Sequence, residues 1–250
     1  MTRNIQFTKM QGLGNDFIVV DGPASFTAEE IAGLCDRRFG IGADGVLVVT
    51  RLDPVRMEYW NADGSSAEMC GNGLRCVARY VYDRGWVADR NFAVQTPIGV
   101  RGARVLDDVV EVELGRVQVG ESRIINGTAF QLVDVGNPHA VVFVDDPQRA
   151  DVAGVGEEVQ SRFESGTNVE FARVTDGVIT MRIWERGVGE TLACGTGMAA
   201  VVAAAQADGL GSGAVEVDVP GGRATIELRD GVAWIRGPAD YSFRGSVGER

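Results

Sequence analysis

Two cysteines stand at matched places in the chain. Trp60 precedes the turn Cys70-Gly71-Asn72-Gly73 by ten residues, and Trp184 precedes Cys194-Gly195-Thr196-Gly197 by the same ten. Each turn opens a helix-like run. A thiol at a helix N-terminus lies at the positive end of the dipole, among amide N–H groups without intrahelical partners. That setting favours thiolate over thiol and lowers a pKa ordinarily near ~8.5. The glycines let the backbone approach a ligand and leave their N–H groups pointing outward, so each turn is also a nest for a carboxylate. Two such turns facing each other would hold one carboxylate substrate between two sulfurs. The chemistry this suggests is inversion of a stereocentre. A thiolate removes the α-proton from one face while a thiol donates a proton to the other. Amide donors and helix dipoles stabilise the charge that develops, with no cofactor and no metal.

The stretches around the cysteines belong to a longer repeat. Gly14-Asn15 and Val19-Val20 match Gly136-Asn137 and Val141-Val142 at an offset of 122. Gly42, Asp44, Met57, Trp60 and Cys70 match Gly166, Asn168, Met181, Trp184 and Cys194 at 124, and Pro97 matches Pro220 at 123. A register kept through five blocks implies two homologous halves of roughly 115 residues, within the usual size of a domain. The apolar pattern relaxes around Gly115 to Ser122, which suggests residues 1–117 as the first domain and 118–250 as the second, with the last strand able to return to the first. Two repeats predict a pseudo-twofold pair with a cleft between them.

Within the halves, residues 3–10 and 17–21 read as strands joined by the turn QGLGND. Thr27 caps an expected helix from Ala28 to Arg38, with Glu29 and Glu30 in its first turn. GIGADG at 40–45 matches a dinucleotide fingerprint in form, but it leads into VLVVT, a strand, where a nucleotide site requires a helix. Strand signals follow at Met57–Asn61, and after the Asp63-Gly64 turn and Cys70 a helix runs to Gly85. FAVQT, GVRGARVL and VVEVEL continue the strands. The second cysteine helix, TGMAAVVAAAQADGL, is apolar on nearly every face and must be wrapped on all sides. The expected fold is therefore α/β: two homologous domains, each a curved, mostly antiparallel, β-barrel-like sheet around a central helix.

Composition narrows the function. A formal charge of -11 argues against sequence-independent nucleic-acid binding, which needs clustered Lys and Arg. Lys9 is the only lysine, so a pyridoxal-phosphate enzyme would rest on it alone. His139 is the only histidine, which removes multi-histidine metal sites. Four cysteines without a CxxC pair exclude a zinc ribbon or a disulfide scaffold, and Cys35 and Cys76 read as small buried apolar residues. No apolar stretch reaches the ~18 residues of a membrane span, and the first residues lack a signal-peptide core. The expected location is the cytoplasm, with no membrane partner.

MQGLGNDFIVVD, MCGNGLRC, GNPHAVVF, TNVEFA and WERGVGETLACGTG together resemble diaminopimelate epimerase, in the right order over nearly the whole chain. The resemblance implies a pyridoxal-independent isomerase that interconverts LL- and meso-2,6-diaminopimelate, a diamino dicarboxylate of lysine and cell-wall precursor synthesis, and that commonly works as a homodimer. It implies Cys70 as proton donor and Cys194 as acceptor in one direction, with His139 and Glu185 tuning the thiols. Substrate contacts fall on Asn15, Asn61, Gly71, Asn72, Asn137, Asn168, Glu185, Arg186, Gly195 and Thr196. Asparagines suit a zwitterion because they both donate and accept, and Arg186 can grip a distal carboxylate as a fork. Many relatives carry Gln where this chain has Gly45, so that contact does not transfer.

Blander readings exist for single residues. Asn15, Asn61 and Asn137 sit beside turn signals, where Asn commonly serves backbone geometry, and Arg186 with Glu185 could form a surface pair. Another two-thiol racemase, of the proline racemase kind, would share the cysteine motifs. A redox-sensing or amino-acid-binding protein would use Cys70 and Cys194 as a reversible disulfide.

Overall fold

Phe17-Ile18-Val19-Val20 and Val46-Leu47-Val48-Val49 lack the alternation of a half-solvated strand because both of their faces are covered; all eight side chains are buried. The computed structural model describes residues 4–66 and 70–248. Arg3 of the expected first strand, and Ala67, Glu68 and Met69 of the stretch before Cys70, lie outside them. Among the described residues the protein is mixed α/β, mostly strands with four α-helices.

The chain divides into two compact units, residues 1–112 with 237–250, and residues 113–236. In the first unit the order is β1 (Asn4–Gly12), β2 (Asn15–Asp21), α1 (Ala28–Cys35), β3 (Gly45–Thr50), β4 (Val55–Asn61), α2 (Gly71–Asp83), β5 (Asn91–Thr96) and β6 (Gly99–Val105). The next strand, β7 (Val110–Arg116), carries the chain into the second unit. There follow β8 (Gln118–Ile125), β9 (Thr128–Asp134), β10 (Pro138–Phe143), α3 (Val152–Ser161), β11 (Asn168–Thr175), β12 (Val178–Glu185), β13 (Gly189–Thr191) and α4 (Gly195–Ala207). Then come β14 (Ala214–Val219), β15 (Gly222–Arg229) and β16 (Val232–Gly237). The last strand, β17 (Asp240–Gly248), belongs to the first unit, where it pairs antiparallel with β1.

The two units repeat one pairing scheme. In the first, β2 runs parallel to β3, β3 antiparallel to β4, β4 parallel to β5 and β5 antiparallel to β6. In the second, β10 runs parallel to β11, β11 antiparallel to β12, β12 parallel to β14 and β14 antiparallel to β15. Helix α2 packs on β1, β2, β3 and β6, and α4 packs on strands from β8 to β15. The apolar circumference of the second cysteine helix is thus satisfied, with Met198 to Ala205 all buried. A second layer covers the outer faces: Ile31 and Cys35 of α1 pack with Phe7, Ile18, Val20, Val46 and Val48, and Val152 and Val159 of α3 with Ala140, Val142, Val169 and Phe171.

Local sequence explains the helix ends. Thr27 and Glu30 form a reciprocal capping box at the start of α1. That helix stops at Cys35, three residues before the expected Arg38, because the Asp36 carboxylate accepts from the Arg38 and Phe39 amides and turns the chain away. Helix α2 ends at Asp83, with Gly85 left-handed at φ 65° and Trp86 N–H bonded back to Val81 O. The relaxed pattern at 115–122 is that of β7 running into an exposed strand, since β8 buries only Ile125.

Lys9, the only lysine, is buried in an ion pair. Its ammonium donates to Asp16 Oδ2 at 2.6 Å and to the carbonyl of Gly42. Arg37 grips the same carboxylate at 2.8 and 3.1 Å and reaches Asp44 at 2.7 Å. Burial alone would raise the Asp16 pKa, but hydrogen bonds from Arg37 and Lys9 win and lower it to about 2. A depressed carboxylate stabilises the fold above its unfolded pKa of 3.8 and loses that contribution as pH falls through about 2. Asp16→Asn is therefore expected to cost about 2 kcal/mol at pH 7. In denaturant titrations the gap from wild type should hold down to about pH 4 and narrow below it; a gap that widens in acid would contradict this.

Candidate active site

The first half-site is built where α2 begins, against the turn between β1 and β2. Cys70 is the N-cap of α2, and its sulfur accepts from the Gly73 amide at 3.3 Å. Leu13 and Gly14, at φ 56° and 81°, turn the chain so that Asn15 meets that cap. The Asn15 carbonyl accepts from the Cys70 thiol at 3.6 Å and from Asn72 Nδ2 at 3.3 Å, while its Nδ2 donates to Asp44 at 2.7 Å. Asp44 also accepts from the Asp16 amide. The Lys9–Asp16–Arg37–Asp44 network is thus the base on which Asn15 rests. Gly71, Asn72 and Gly73 are buried in the first turn of the helix.

Arg75, one turn into α2, is fully buried. Its Nε donates to Pro238 O at 3.1 Å, and neither Nη has a hydrogen-bond partner among the described residues. Burial works against its charge, opposed by the fields of Cys76, Cys70 and Asp240.

The second half-site repeats the plan with different chemistry. Cys194 caps α4, and its sulfur lies 3.4 Å from Thr196 Oγ1. Asn137 takes the place of Asn15: its Nδ2 donates to Thr196 Oγ1 at 3.4 Å and its Oδ1 faces His139 Nε2 at 3.0 Å. His139 Nδ1 lies 2.5 Å from Glu170 Oε1, and both side chains are fully buried. Glu185 accepts from the Thr191 hydroxyl and lies beside Cys194. Burial first, then the Glu185 charge, pushes the Cys194 thiol well above its ordinary value, although Thr196 pulls it back. Here burial outweighs the helix terminus, which reverses the lowered pKa expected from the sequence. Burial likewise raises Glu185 and Glu170.

This arrangement carries a test of sign. A carboxylate beside Cys194 disfavours a second negative charge, so Glu185→Gln should make the thiolate easier to form. The pH midpoint for alkylation of Cys194 by iodoacetamide, followed by peptide mass spectrometry, is expected to fall. A rise would contradict the geometry.

Asn168 and Arg186 are joined at the mouths of β11 and β12. The Asn168 carbonyl accepts from the Arg186 amide at 2.9 Å, and its Nδ2 donates to Pro138 O at 2.9 Å. The Arg186 stem packs on Gly166, where an added Cβ would stand 3.0 Å from its Cδ. Its guanidinium is exposed and donates to Ser165 O at 3.1 Å. Gly195 and Thr196 supply the first turn of α4.

Of the residues singled out from sequence, the structure brings Cys70, Asn15, Gly71 and Asn72 into one group. It brings Cys194, Gly195, Thr196, Asn137, His139 and Glu185 into another. Asn61 is different: its Nδ2 donates to Ser65 Oγ at 3.0 Å, and its backbone closes the turn at Gly64. Gly45 pairs with Asn61 across β3 and β4, and a Cβ there would stand 2.4 Å from Trp60 O and 2.5 Å from the Tyr59 ring. A side chain at position 45 has no room in this chain. Burial pushes Cys35 to about 11 and Cys76 to about 12, as suits inert thiols. Sequence reasoning missed Glu170 and Arg75; each is a charge inside an otherwise apolar buried run, VEF and LRCVA, and that mismatch was the available signal.

The profile of diaminopimelate epimerase matches residues 7–123 and 131–241. A diaminopimelate epimerase of Thioalkalivibrio sulfidiphilus is 39% identical over 274 residues, covering 97% of this chain and 99% of that protein. The chain belongs to the diaminopimelate epimerase family. Another diaminopimelate epimerase, from Acinetobacter baumannii, is 38% identical over 97% of both chains. Among solved structures, a hydroxyproline epimerase from Agrobacterium vitis superposes with a TM-score of 0.73 at 18% identity, covering 98% of this chain and 91% of that one. That likeness concerns the fold. As a member of the diaminopimelate epimerase family the chain is an isomerase, and among the described residues no helix is long and apolar enough to cross a membrane.

Proposed function

We propose that the protein epimerises LL-2,6-diaminopimelate to the meso form with Cys70 and Cys194 as the two proton-transfer groups. The observation that carries this reading is that each cysteine caps a buried glycine-bearing helix start and is hydrogen-bonded within its own polar group. One thiol as thiolate removes the α-proton, and the other protonates the opposite face of the carbon. The N–H groups of Gly71, Asn72, Gly195 and Thr196 receive the substrate's α-carboxylate, where negative charge grows as the proton leaves. His139 and Glu185 tune the second thiol. Asn15, Asn61, Asn137 and Asn168 recognise amino and carboxylate groups, and Arg186 takes the distal carboxylate.

In one direction Cys70 is the proton donor and Cys194 the acceptor, as the family resemblance implies. In the reverse direction the roles exchange. Action without a cofactor, as a homodimer in the cytoplasm, belongs to the same reading and is supported by the family resemblance.

The test is conversion of LL-diaminopimelate to the meso isomer, read by chiral chromatography under reducing conditions, beside L-proline and trans-4-hydroxy-L-proline. Turnover of diaminopimelate alone is the expected result. Turnover of either proline in its place would assign the protein to another two-thiol epimerase.

A further inference from the structure

A chain of hydrogen bonds runs from Cys194 to the interior of the second unit, and it ends on a carboxylate with no role so far. The sulfur meets Thr196 Oγ1 at 3.4 Å, and Thr196 Oγ1 accepts from Asn137 Nδ2 at 3.4 Å. Asn137 Oδ1 faces His139 Nε2 at 3.0 Å, and His139 Nδ1 faces Glu170 Oε1 at 2.5 Å. Glu170 sits on β11 against the first turn of α4, where a Cβ on Gly197 would stand 3.0 Å from its Oε1.

The proton positions follow from donor and acceptor counting. Asn137 presents its NH2 to Thr196, so its carbonyl faces the imidazole, and a carbonyl only accepts. His139 Nε2 must therefore carry a hydrogen. Between Nδ1 and Glu170 lies one further proton, on the nitrogen or on the oxygen, and the pair is neutral overall in either case. Asn137 occupies one lone pair of the Thr196 oxygen; either partner can donate while Cys194 is a thiol, but a Cys194 thiolate only accepts, and the Thr196 hydroxyl hydrogen then points at the sulfur. His139 touches Cys194 only through these intermediaries.

We infer that Glu170 is the positioning residue of the second half-site. It holds the His139 ring in the form protonated on Nε2, which sets the Asn137 amide and so aims the Thr196 hydroxyl at Cys194. A donor aimed at the sulfur stabilises the thiolate that Cys194 becomes after it gives up its proton. In a site this dry, an ordered donor is the means by which a thiolate forms at all. Besides Glu170, the charged group whose field reaches the ring is Glu185. This inference rests on the reading of Cys194 as a proton-transfer group.

Since His139 is the only histidine, one set of imidazole signals reports the state of the ring. The experiment is two-bond 1H–15N correlation of histidine-labelled full-length protein between pH 6 and 9, beside Glu170→Gln and steady-state kinetics with LL-diaminopimelate. Wild type is expected to keep its Nε2 hydrogen throughout and to show a far-downfield proton shared between Nδ1 and Glu170. Glu170→Gln should lose the shared-proton signal and lower kcat on the order of 10–100-fold, as loss of a group that orients an imidazole does elsewhere, with KM changed less than about threefold, a shift under about 0.7 kcal/mol. An Nε2 hydrogen lost within that range in wild type would overturn the inference, whether or not the variant folds. So would a Glu170→Gln protein with the wild-type imidazole spectrum and kcat. A wild-type protein with the expected spectrum but no epimerisation would overturn the proposed function instead.

Discussion

Cys70→Ala and Cys194→Ala each lower the rate of LL-to-meso conversion a thousandfold or more. A positioned acid or base contributes roughly 10²–10⁴-fold, and a two-base inversion uses both groups in every turnover, so removing either one forfeits the whole reaction. The two variants should fail in different ways. A lone remaining thiol can still take the α-proton of the isomer it faces and return solvent hydrogen to the same face. Each variant is therefore expected to exchange one isomer slowly without inverting it. The fold should survive, because Cys194→Ala removes only a sulfur from a site walled by Glu185, Thr196 and α4. A circular-dichroism melt beside the kinetics separates lost chemistry from lost structure, and full activity in either variant would rule out the two-thiol mechanism.

Arg186→Ala raises KM for diaminopimelate by roughly 10–150-fold, the equivalent of the ~1.5–3 kcal/mol carried by charged hydrogen bonds. The argument rests on placement. Asn168 holds the Arg186 backbone, Gly166 supports its stem, and the guanidinium remains exposed with one bond to Ser165 O. An exposed, braced guanidinium suits a second carboxylate, which diaminopimelate has and proline lacks. Arg186→Lys keeps the charge but loses the planar fork, so it should restore only part of the affinity. An unchanged KM in both variants would make Arg186 a surface residue.

Much of this was legible in the sequence because the chain carries its pattern twice. The matched Cys, Trp, Asn and Gly positions fall at the same points of the repeated strand and helix order, since the same turns and helix starts demand them in each half. The apolar runs FIVV and VLVV announced strands covered on both faces. The features that stayed hidden depend on contacts distant in sequence. Lys9 finds Gly42 O thirty-three positions on, and His139 finds Glu170 thirty-one positions on through parallel pairing. The direction of the Cys194 shift was also invisible, because a helix terminus is a local feature while burial is a property of the whole fold. The Asn61 side chain donates to Ser65 in the adjoining turn, a contact its motif does not announce.

The central claim is that two thiols move an α-proton. The most direct measurement places the reduced protein with LL-diaminopimelate in D2O, without pyridoxal phosphate or metal, and follows the α-carbons by mass spectrometry and NMR. The meso product is expected to carry deuterium at the inverted carbon, because the proton removed by one thiol is not the one delivered by the other. Absence of α-exchange with either the LL or the meso isomer, or inversion that retains the original hydrogen, would contradict the account.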